Sequence, residues 1–486
     1  MRSGRPGRNG IKGNPLRSAD AKRRERRERG EVARPKDWRA TSSDPLGPPS
    51  PPSGEGNSLR SRIRIRTPLV TQTYDADVII AGAGMTGATL ALALASGGLK
   101  AILVDPMVFE TQAAPTFDGR ASAIAFSSFR QWLQIGVGES LAPLAQRIEQ
   151  ILVTDAHAPG AASGRGLRSF LRFDSSEIAE EVEGEPLGYM LENRHIRAAL
   201  GQAVRAAGIE VLAPAKVEGV TTNGAGASVT LADGRTLTAP LVVGAEGRSS
   251  TVRAAAKIGV IGWDYPQVGV VATVALEEDH QGVAHEYFLP SGPFAILPLT
   301  DRRASLVWTE SKARGAALSG ARPDVVEAHL ARRFGEFVGK VTLDGPRFVY
   351  PLSLQLAERM YAPRMALLGD AAHAIHPIAG QGLNLGLKDA AALAEVLVDA
   401  ARLGEDLGSD LVLERYAAWR RFDNVALAAA TDVFNRLFSN DHPLVRLARG
   451  VGMAAVNRIG PARRFFMQQA GGALGDLPRL LKGEAL

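Results

Sequence analysis

The pattern of hydrophobic positions predicts a strand–helix–strand unit that begins near residue 77. Asp77–Ala81 is a short apolar run typical of a buried strand, Met85–Ser96 is a helix of small and apolar residues, and Ala101–Val104 is a second buried strand. Residues 207–360 alternate in polarity between turn signals, which predicts a series of strands. Helical periodicity returns at about 383–403, and most of the remaining chain to residue 486 is predicted to be helical.

Residues 1–70 differ from the rest of the chain in composition. They hold 18 Lys and Arg against seven Asp and Glu, with nine of the 28 prolines and one aromatic residue. Such a segment buries too little apolar surface to offset the entropy of ordering, so we expect a disordered basic tail. We interpret it as a stretch that is not translated in the native protein, with the start near Val70. A nucleic-acid-binding arm is the alternative.

Charge and composition narrow the classes of function. The whole chain carries +6, but the first 70 residues contribute +11, so the rest carries −5, which disfavours general nucleic-acid binding. Cysteine is absent, which excludes disulfides, thiolate zinc sites and iron–sulfur clusters. No apolar run reaches the roughly 18 residues that a membrane-spanning helix needs.

A GxGxxG motif lies between the first predicted strand and its helix. Gly82 makes the tight turn, Gly84 lets backbone approach a pyrophosphate, and Gly87 lets the helix pack close to the strand. Asp105 ends the second strand, where it is placed to accept a hydrogen bond from a ribose hydroxyl. This context predicts an adenine dinucleotide site, but it does not choose between NAD and FAD.

Two later segments favour a flavin. A strand ending at Gly244 leads into the charged turn that holds Glu246, and a strand ending near Leu368 leads into Gly369 and Asp370. The next loop runs into a helix, and its free N–H groups and positive helix end suit the anionic edge of a reduced flavin. Asp370 can hold ribityl hydroxyls. The candidate residues at this helix start are Gly380, Gly382 and Asn384.

Asp370, His373 and His376 lie three residues apart, a spacing that could also suggest a metal site. This combination is common by chance, so we predict no metal. We favour His373 as a structural histidine that is hydrogen-bonded to backbone. His376 either approaches a substrate or fixes the loop, and the sequence leaves both open.

These motifs, in this order, resemble the class A flavoprotein aromatic hydroxylases. The run His376–Asn384 resembles the signature of the ubiquinone-biosynthesis hydroxylase family within that class, as do Asp118–Ala125 and Gly292–Pro298. The resemblance covers roughly residues 74–480. One departure is the turn at Glu246, where the class usually has aspartate, and this places the carboxylate on a longer arm.

The resemblance implies an α/β fold with a Rossmann-like FAD-binding domain, an inserted antiparallel β-sheet substrate domain and a helical C-terminal extension. The expected FAD-binding domain comprises residues 74–150, 190–255 and 345–403. The expected substrate domain comprises 151–189 and 256–344, and the helical C-terminal region comprises 404–486. Arg120 is a candidate contact to the phosphates or the ribityl region of the cofactor, and a surface salt bridge is the alternative. Asn193 and Arg194 match a family stretch that touches FAD, although the sequence does not decide which of the two does so.

The implied function is FAD-dependent hydroxylation of the aromatic ring of a polyprenylated phenol in ubiquinone biosynthesis, with NAD(P)H as reductant and dioxygen as co-substrate. The alternative is a flavin hydroxylase of the same fold that acts on a small soluble aromatic compound. No side chain in the sequence is a clear catalytic base. We expect a cytoplasmic protein with peripheral contact to the inner membrane or to other biosynthetic proteins. The basic and apolar stretch 444–467 is the candidate contact, or else a helix packed on the body.

Overall fold

The computed structural model describes residues 73–486, except for 156–170, 181, 183, 290, 335–337, 377–379, 439–455, 457–458 and 473–474. The tail predicted at residues 1–70 therefore lies outside the described residues. So does most of the stretch 444–467.

The secondary structure alternates short strands with helices before it becomes helical near the C-terminus. The strands are β1 (Val78–Ala81), β2 (Ala101–Val104), β3 (Ala121–Ile124), β4 (Gln146–Ile148), β5 (Gln150–Asp155), β6 (Leu171–Asp174), β7 (Gly188–Glu192), β8 (Glu210–Leu212), β9 (Val217–Thr222), β10 (Ala227–Leu231), β11 (Thr236–Ala239), β12 (Leu241–Gly244), β13 (Val260–Leu276), β14 (Val283–Leu289), β15 (Gly292–Leu299), β16 (Arg303–Ser311), β17 (Val341–Leu343), β18 (Phe348–Ala357), β19 (Tyr361–Ala362), β20 (Met365–Leu367) and β21 (His373–Ala374). The helices are α1 (Met85–Ser96), α2 (Phe109–Gln112), α3 (Phe126–Gln134), α4 (Gly138–Leu141), α5 (Asn193–Ala206), α6 (Thr251–Ala255), α7 (Lys312–Gly320), α8 (Pro323–Phe334), α9 (Gln381–Arg402), α10 (Asp410–Phe438), α11 (Gly460–Ala470) and α12 (Arg479–Lys482).

The first sheet has six strands in the order β19-β20-β12-β1-β2-β8. Its central strands are parallel and buried on both faces, which explains why β1, β2 and β12 are continuous apolar runs. Helices α1 and α9 pack closely on each other: a Cβ on Gly386 would lie 2.5 Å from Thr86 Cγ2. The strand–helix–strand prediction is confirmed, since α1 and β2 have the expected bounds and β1 starts one residue later than expected.

The second large sheet contains nine strands, and its main path runs β21-β18-β13-β16-β15-β14-β5-β6. All its pairs are antiparallel except β5 with β14. One face packs on α8 through Val326, Leu330 and Phe334. Strand β18 belongs to this sheet although its residues fall within a range expected for the FAD-binding domain, so the domain boundaries stay a prediction.

The series of strands predicted for residues 207–360 is only partly correct, because helices α6, α7 and α8 interrupt it. Helix α8 has apolar residues at helical spacing that cover the nine-stranded sheet. The predicted helix at 383–403 is observed as α9, and the C-terminal segment is helical where it is described. An α/β fold with a second, largely antiparallel sheet and C-terminal helices is thus confirmed.

Candidate active site

The turn after β1 leaves open space at one glycine and none at the other two. A Cβ on Gly82 would stand 2.5 Å from the carbonyl oxygen of Ala245, and one on Gly87 would stand 2.0 Å from that of Gly82. A Cβ on Gly84, by contrast, would meet no protein atom within 4 Å. Gly84 also precedes α1, whose N-terminus receives no side-chain cap. The turn therefore offers bare backbone and a positive helix end to an anionic group.

Asp105 braces this turn. Its carboxylate accepts hydrogen bonds from the N–H of Ala83 at 2.7 Å, from the N–H of Met107 at 2.8 Å and from Gln112 Nε2 at 3.2 Å. Burial raises the pKa of Asp105, against the lowering effect of the backbone donors. Asp105 lies next to the glycine turn, as the motif requires, and its contact with a ribose stays a prediction.

Glu246 points to a helix start rather than into the cavity described below. One oxygen accepts from Ser250 Oγ at 2.5 Å, and the other accepts from the N–H groups of Thr251 and Val252 at 3.1 and 3.3 Å. The carboxylate thus caps α6, and its neighbours Ala245, Gly247 and Arg248 line the cavity instead.

A buried carboxylate on α9 fixes the loop that holds Gly369 and Asp370. Asp389 accepts from the N–H of Gly369 at 3.1 Å and from Arg420 Nε at 2.9 Å, and it also bonds to His373 Nε2. Burial opposes ionisation, but His373 and Arg420 outweigh it and lower the pKa of Asp389. His373 is structural, as expected, but its partner is this carboxylate and not the backbone. Gly369 and Asp370 face the cavity.

The start of α9 forms another uncapped helix N-terminus. Gly380 precedes it as the N-cap residue in a left-handed conformation with φ +63°, and a glycine has no side chain to cap the helix. Asn384 accepts from the N–H of Ala125 and donates to the carbonyl of Ala123, both at 2.8 Å, which ties α9 to β3. Gly380, Gly382 and Asn384 all line the cavity.

Asp118 accepts hydrogen bonds from two of the remaining predicted residues, Arg120 and Asn193. It receives a two-point hydrogen bond from Arg120 at 2.8 and 2.9 Å, and a further bond from Arg197 at 2.6 Å. Burial opposes its ionisation, but these guanidinium groups hold the pKa of Asp118 well below its usual range. Arg120 lies 4.8 Å from the centre of the Tyr350 ring. Arg120 and Tyr350 both line the cavity.

Asn193 and Arg194 have different positions. Asn193 lines the cavity, accepts from Ser122 Oγ at 2.7 Å and donates to Asp118 at 3.3 Å. Arg194 bonds to Glu192 at 3.1 Å and is absent from the cavity lining. Between these two residues, the structure favours Asn193 as the one that meets a cofactor.

A cavity of about 900 Å³ joins these groups to the nine-stranded sheet. Its polar end holds the starts of α1 and α9, the Gly369-Asp370 loop and Arg120. Its other walls are mainly apolar side chains from the sheet and from the C-terminal helices. These include Ile151, Val153, Phe173, Ala284, Phe288, Ala295, Leu297, Leu437, Phe466 and Met467.

The polar end fits a flavin dinucleotide by its shape and its donors. The space over Gly84 lies beside the start of α1, and the start of α9 adds a second positive helix end. Gly82, Gly84, Gly87, Gly369, Asp370, Gly380 and Gly382 would hold the group, with Arg120 and Asn193 beside it. Bound FAD would supply electron transfer from NAD(P)H and the activation of dioxygen.

Two ionisable side chains in the cavity lack hydrogen-bond partners among the described residues. Both ring nitrogens of His376 are buried and unpaired, and burial lowers the pKa of this ring to about 4. Glu286 on β14 lines the cavity, and burial raises the pKa of its carboxyl to about 8. The sequence interpretation missed Glu286, although an acid inside the apolar strand Val283–Leu289 was a signal that could have found it.

Among the described ranges, no group of three His, Asp or Glu side chains is arranged to hold a metal ion. Asp370 contributes to the cavity lining, whereas His373 is committed to Asp389.

Comparison with known proteins gives concordant results. The model of the FAD binding domain family matches residues 75–428. The chain is 45% identical to ubiquinone hydroxylase UbiL of Rhodospirillum rubrum, over 85% of this chain and 94% of that protein. It is 34% identical to 3-demethoxyubiquinol 3-hydroxylase of Escherichia coli, over 81% and 98%. It is 31% identical to ubiquinone biosynthesis monooxygenase COQ6, mitochondrial, of Homo sapiens, over 80% and 91%.

Solved structures share the fold at lower identity. The p-nitrophenol 4-monooxygenase PnpA of Pseudomonas putida superposes with a TM-score of 0.67 at 19% identity, over 81% of this chain and 97% of that chain. OxyS anhydrotetracycline hydroxylase of Streptomyces rimosus gives 0.61 at 22% identity, over 83% and 77%. These likenesses support the fold assignment alone.

Proposed function

The chain belongs to the FAD-dependent monooxygenases of ubiquinone biosynthesis, and from that premise we propose that it hydroxylates the aromatic ring of a prenylated phenol. The electrons come from NAD(P)H and the inserted oxygen atom comes from dioxygen. One observation carries the proposal: a single cavity runs from the residues that fit a flavin to the apolar face of the nine-stranded sheet.

The chain's own residues bind, orient and exclude water. Apolar side chains of β5, β14 and β15 line the cavity, so a ring placed there is shielded from solvent. Asp118 fixes the direction of Arg120 at the polar end through two hydrogen bonds. Asp389 holds the Gly369-Asp370 loop against α9. These contacts fix Arg120 and the Gly369-Asp370 loop before the substrate binds. Less entropy is then lost when the reacting groups are aligned.

Product analysis tests this function. Purified holoenzyme is supplied with NAD(P)H, dioxygen and either a short-chain prenylated phenol or the same phenol without its prenyl group. We expect oxygen uptake and a product heavier by one oxygen atom with the prenylated compound, and much weaker turnover with the other. Equal or better turnover of the unprenylated phenol would favour the alternative, a hydroxylase of small soluble aromatics.

We also propose that the enzyme meets its substrate at a membrane surface. In the part of the chain that the structure describes, no helix is long and apolar enough to cross a bilayer. Helices α10 and α11, which contribute Leu437 and Phe466 to the cavity wall, also expose large apolar side chains. Those on α10 are Leu411 (71% exposed), Phe422 (79%), Val425 (48%) and Val433 (59%), and Leu411, Phe422 and Val433 share one face at helical spacing.

The basic residues predicted to anchor the protein are less suitable for a test. Arg463 forms an ion pair with Glu177 at 2.6 Å, so its replacement would also disturb packing. A cleaner experiment replaces Phe422 and Val433 by Ser and measures sedimentation with anionic vesicles. We expect weaker binding with unchanged flavin content. Leu403→Ser, at a 72% exposed residue just after α9, is the matched control. Equal losses in both variants would argue against a specific contact.

A further inference from the structure

Glu286 occupies an unusual position in the substrate cavity. It lies in the middle of β14, and its neighbours two residues away, Ala284 and Phe288, also line the cavity. Its directly paired residues are Val153 on β5 and Ala295 on β15, which line the cavity as well. The carboxyl therefore projects from an apolar sheet face in which its cross-strand neighbours carry no charge.

Apart from Asp370, an exposed residue at the polar end of the cavity, the other carboxyls discussed above are already engaged. Asp105, Asp118, Glu246 and Asp389 each accept at least three hydrogen bonds from the chain. Within the described residues, Glu286 forms no hydrogen bond and no ion pair. The carboxyl is partly buried and gains no interaction from the described chain, so the fold alone gives no reason for a carboxyl at this position.

The protonation state of Glu286 defines what it can bind. Burial raises the pKa of this carboxyl to about 8, so it is mainly neutral at pH 7. A neutral carboxylic acid has one O–H donor and a carbonyl acceptor. It can therefore accept a hydrogen bond from a phenolic hydroxyl while it donates one to an adjacent oxygen substituent.

We propose that Glu286 is the residue that binds the ring hydroxyl of the substrate and thereby orients the ring in the cavity. This inference rests on the proposed function, because it names the group that recognises the phenol. The prenyl chain would contribute affinity through apolar contact, but such contact is non-directional and does not fix the rotation of a ring. A hydrogen bond from one point of the sheet fixes that rotation.

The expected consequence is discrimination by oxygen substituents. A site that holds a buried hydrogen-bonding group rejects a ligand that leaves this group unpaired. A prenylated phenol should therefore bind the holoenzyme about 10- to 100-fold more tightly than the same molecule with hydrogen in place of the ring hydroxyl. Glu286→Leu should remove most of this difference, and Glu286→Gln, which keeps a donor and an acceptor, should retain much of it.

The experiment is a titration of FAD-loaded protein with these two ligands, read by the change in flavin absorbance. The variants are Glu286→Leu, Glu286→Gln and the control Val153→Ala, which alters the cavity beside Glu286 without touching the carboxyl. We expect the control to weaken both ligands to a similar extent and to keep their ratio. The amount of FAD bound per chain is measured in every variant and identifies any variant that has lost its fold. If Glu286→Leu has lost its fold, the comparison is made with Glu286→Gln instead.

Two results would overturn the inference: a parent enzyme that binds both ligands equally, or a Glu286→Leu variant that discriminates as well as the parent. Turnover is measured separately. If the parent discriminates between the ligands but hydroxylates neither, the proposed function fails while Glu286 remains the hydroxyl-binding residue. If the parent hydroxylates the phenol without discriminating, the function stands and the role of Glu286 is rejected.

Discussion

The carboxyl groups behind the dinucleotide end of the cavity differ from the carboxyl in its apolar sheet face. At the dinucleotide end, Asp105 and Glu246 accept hydrogen bonds from nearby backbone, so they shape the loops around the site. At the sheet end, Glu286 has no partner in the described chain. The first arrangement holds a fixed cradle for a cofactor that stays bound. The second leaves the carboxyl of Glu286 available to a ligand that binds and dissociates.

The difference also affects how each end responds to substitution. The cofactor end depends on a glycine, because a pyrophosphate can approach the backbone only where no side chain fills the space above it. The substrate end depends on a carboxyl side chain that is partly buried among apolar residues. Changes at the first end should therefore abolish binding outright, whereas changes at the second should shift affinity and selectivity.

The largest effect is expected at Gly84. Gly84→Val would fill the space in which no protein atom now lies within 4 Å, so the purified protein should be nearly colourless while its secondary structure stays close to that of the parent. Flavin absorbance per chain is the measurement. Gly219→Val on β9, where a Cβ also meets nothing within 4 Å, is the matched control and should retain FAD. Full flavin occupancy in the Gly84 variant would refute the assignment of this turn.

The next largest effect is expected at Asp389, which supports the cofactor loop from within the core. Asp389→Asn removes the fully buried carboxylate that bonds to Arg420 and His373 and leaves Arg420 with the more exposed Asp423, which should lower the free energy of unfolding by about 3–5 kcal/mol. Denaturant unfolding measures the loss. Asp423 also pairs with Arg420 but its side chain is 43% exposed, so Asp423→Asn should cost less than about 1 kcal/mol. Similar losses in the two variants would mean that burial does not govern this network.

A smaller, pH-dependent effect is expected at Glu286. Because the pKa in the fold is about 8 against an ordinary 4.5, the unfolded chain loses this proton first as the pH rises. The contribution of Glu286 to stability therefore falls between about pH 4.5 and 8 and then levels off. The residues paired with Glu286 on β5 and β15 are uncharged. The other ionisable residues that line the cavity are Arg120, Arg248, His285, Tyr350, Asp370 and His376.

Thermal unfolding of the holoenzyme checks this trend. The Tm of Glu286→Gln should rise relative to the parent by a few degrees between pH 5 and pH 8, with little further change above pH 8. The same substitution at Glu218, an exposed residue of β9, is the surface control. A constant difference for Glu286 would mean that its carboxyl is not held neutral by the cavity.

The smallest effect is expected from the tail. A protein that begins at Val70 should bind FAD and turn over as the full chain does, since the family match starts at residue 75 and all the cavity residues follow it. Flavin content and the rate of product formation are the measurements. A large fall in either would assign residues 1–69 a part in the enzyme.

Local sequence was sufficient to predict the dinucleotide turn. The turn needs glycine because of backbone that is close in sequence. Gly82 adopts a positive φ of +101°, and a side chain at Gly87 would clash with the carbonyl oxygen of Gly82, five residues earlier. The same holds for β1, α1 and β2, whose apolar runs specify strand and helix with little outside help. The resemblance of the later motifs then indicated the flavin and the type of reaction, which the relatives support.

The partners of the polar side chains were decided only by the tertiary structure. Asn384 meets Ala125 across 259 residues, and His373 pairs with Asp389 rather than with backbone. Glu286 remains unpaired because the strands on both sides present Val153 and Ala295 to it, and no local pattern specifies these neighbours. Sequence adjacency sets backbone geometry, whereas the hydrogen bonds and the pKa of a buried group depend on which distant elements surround it.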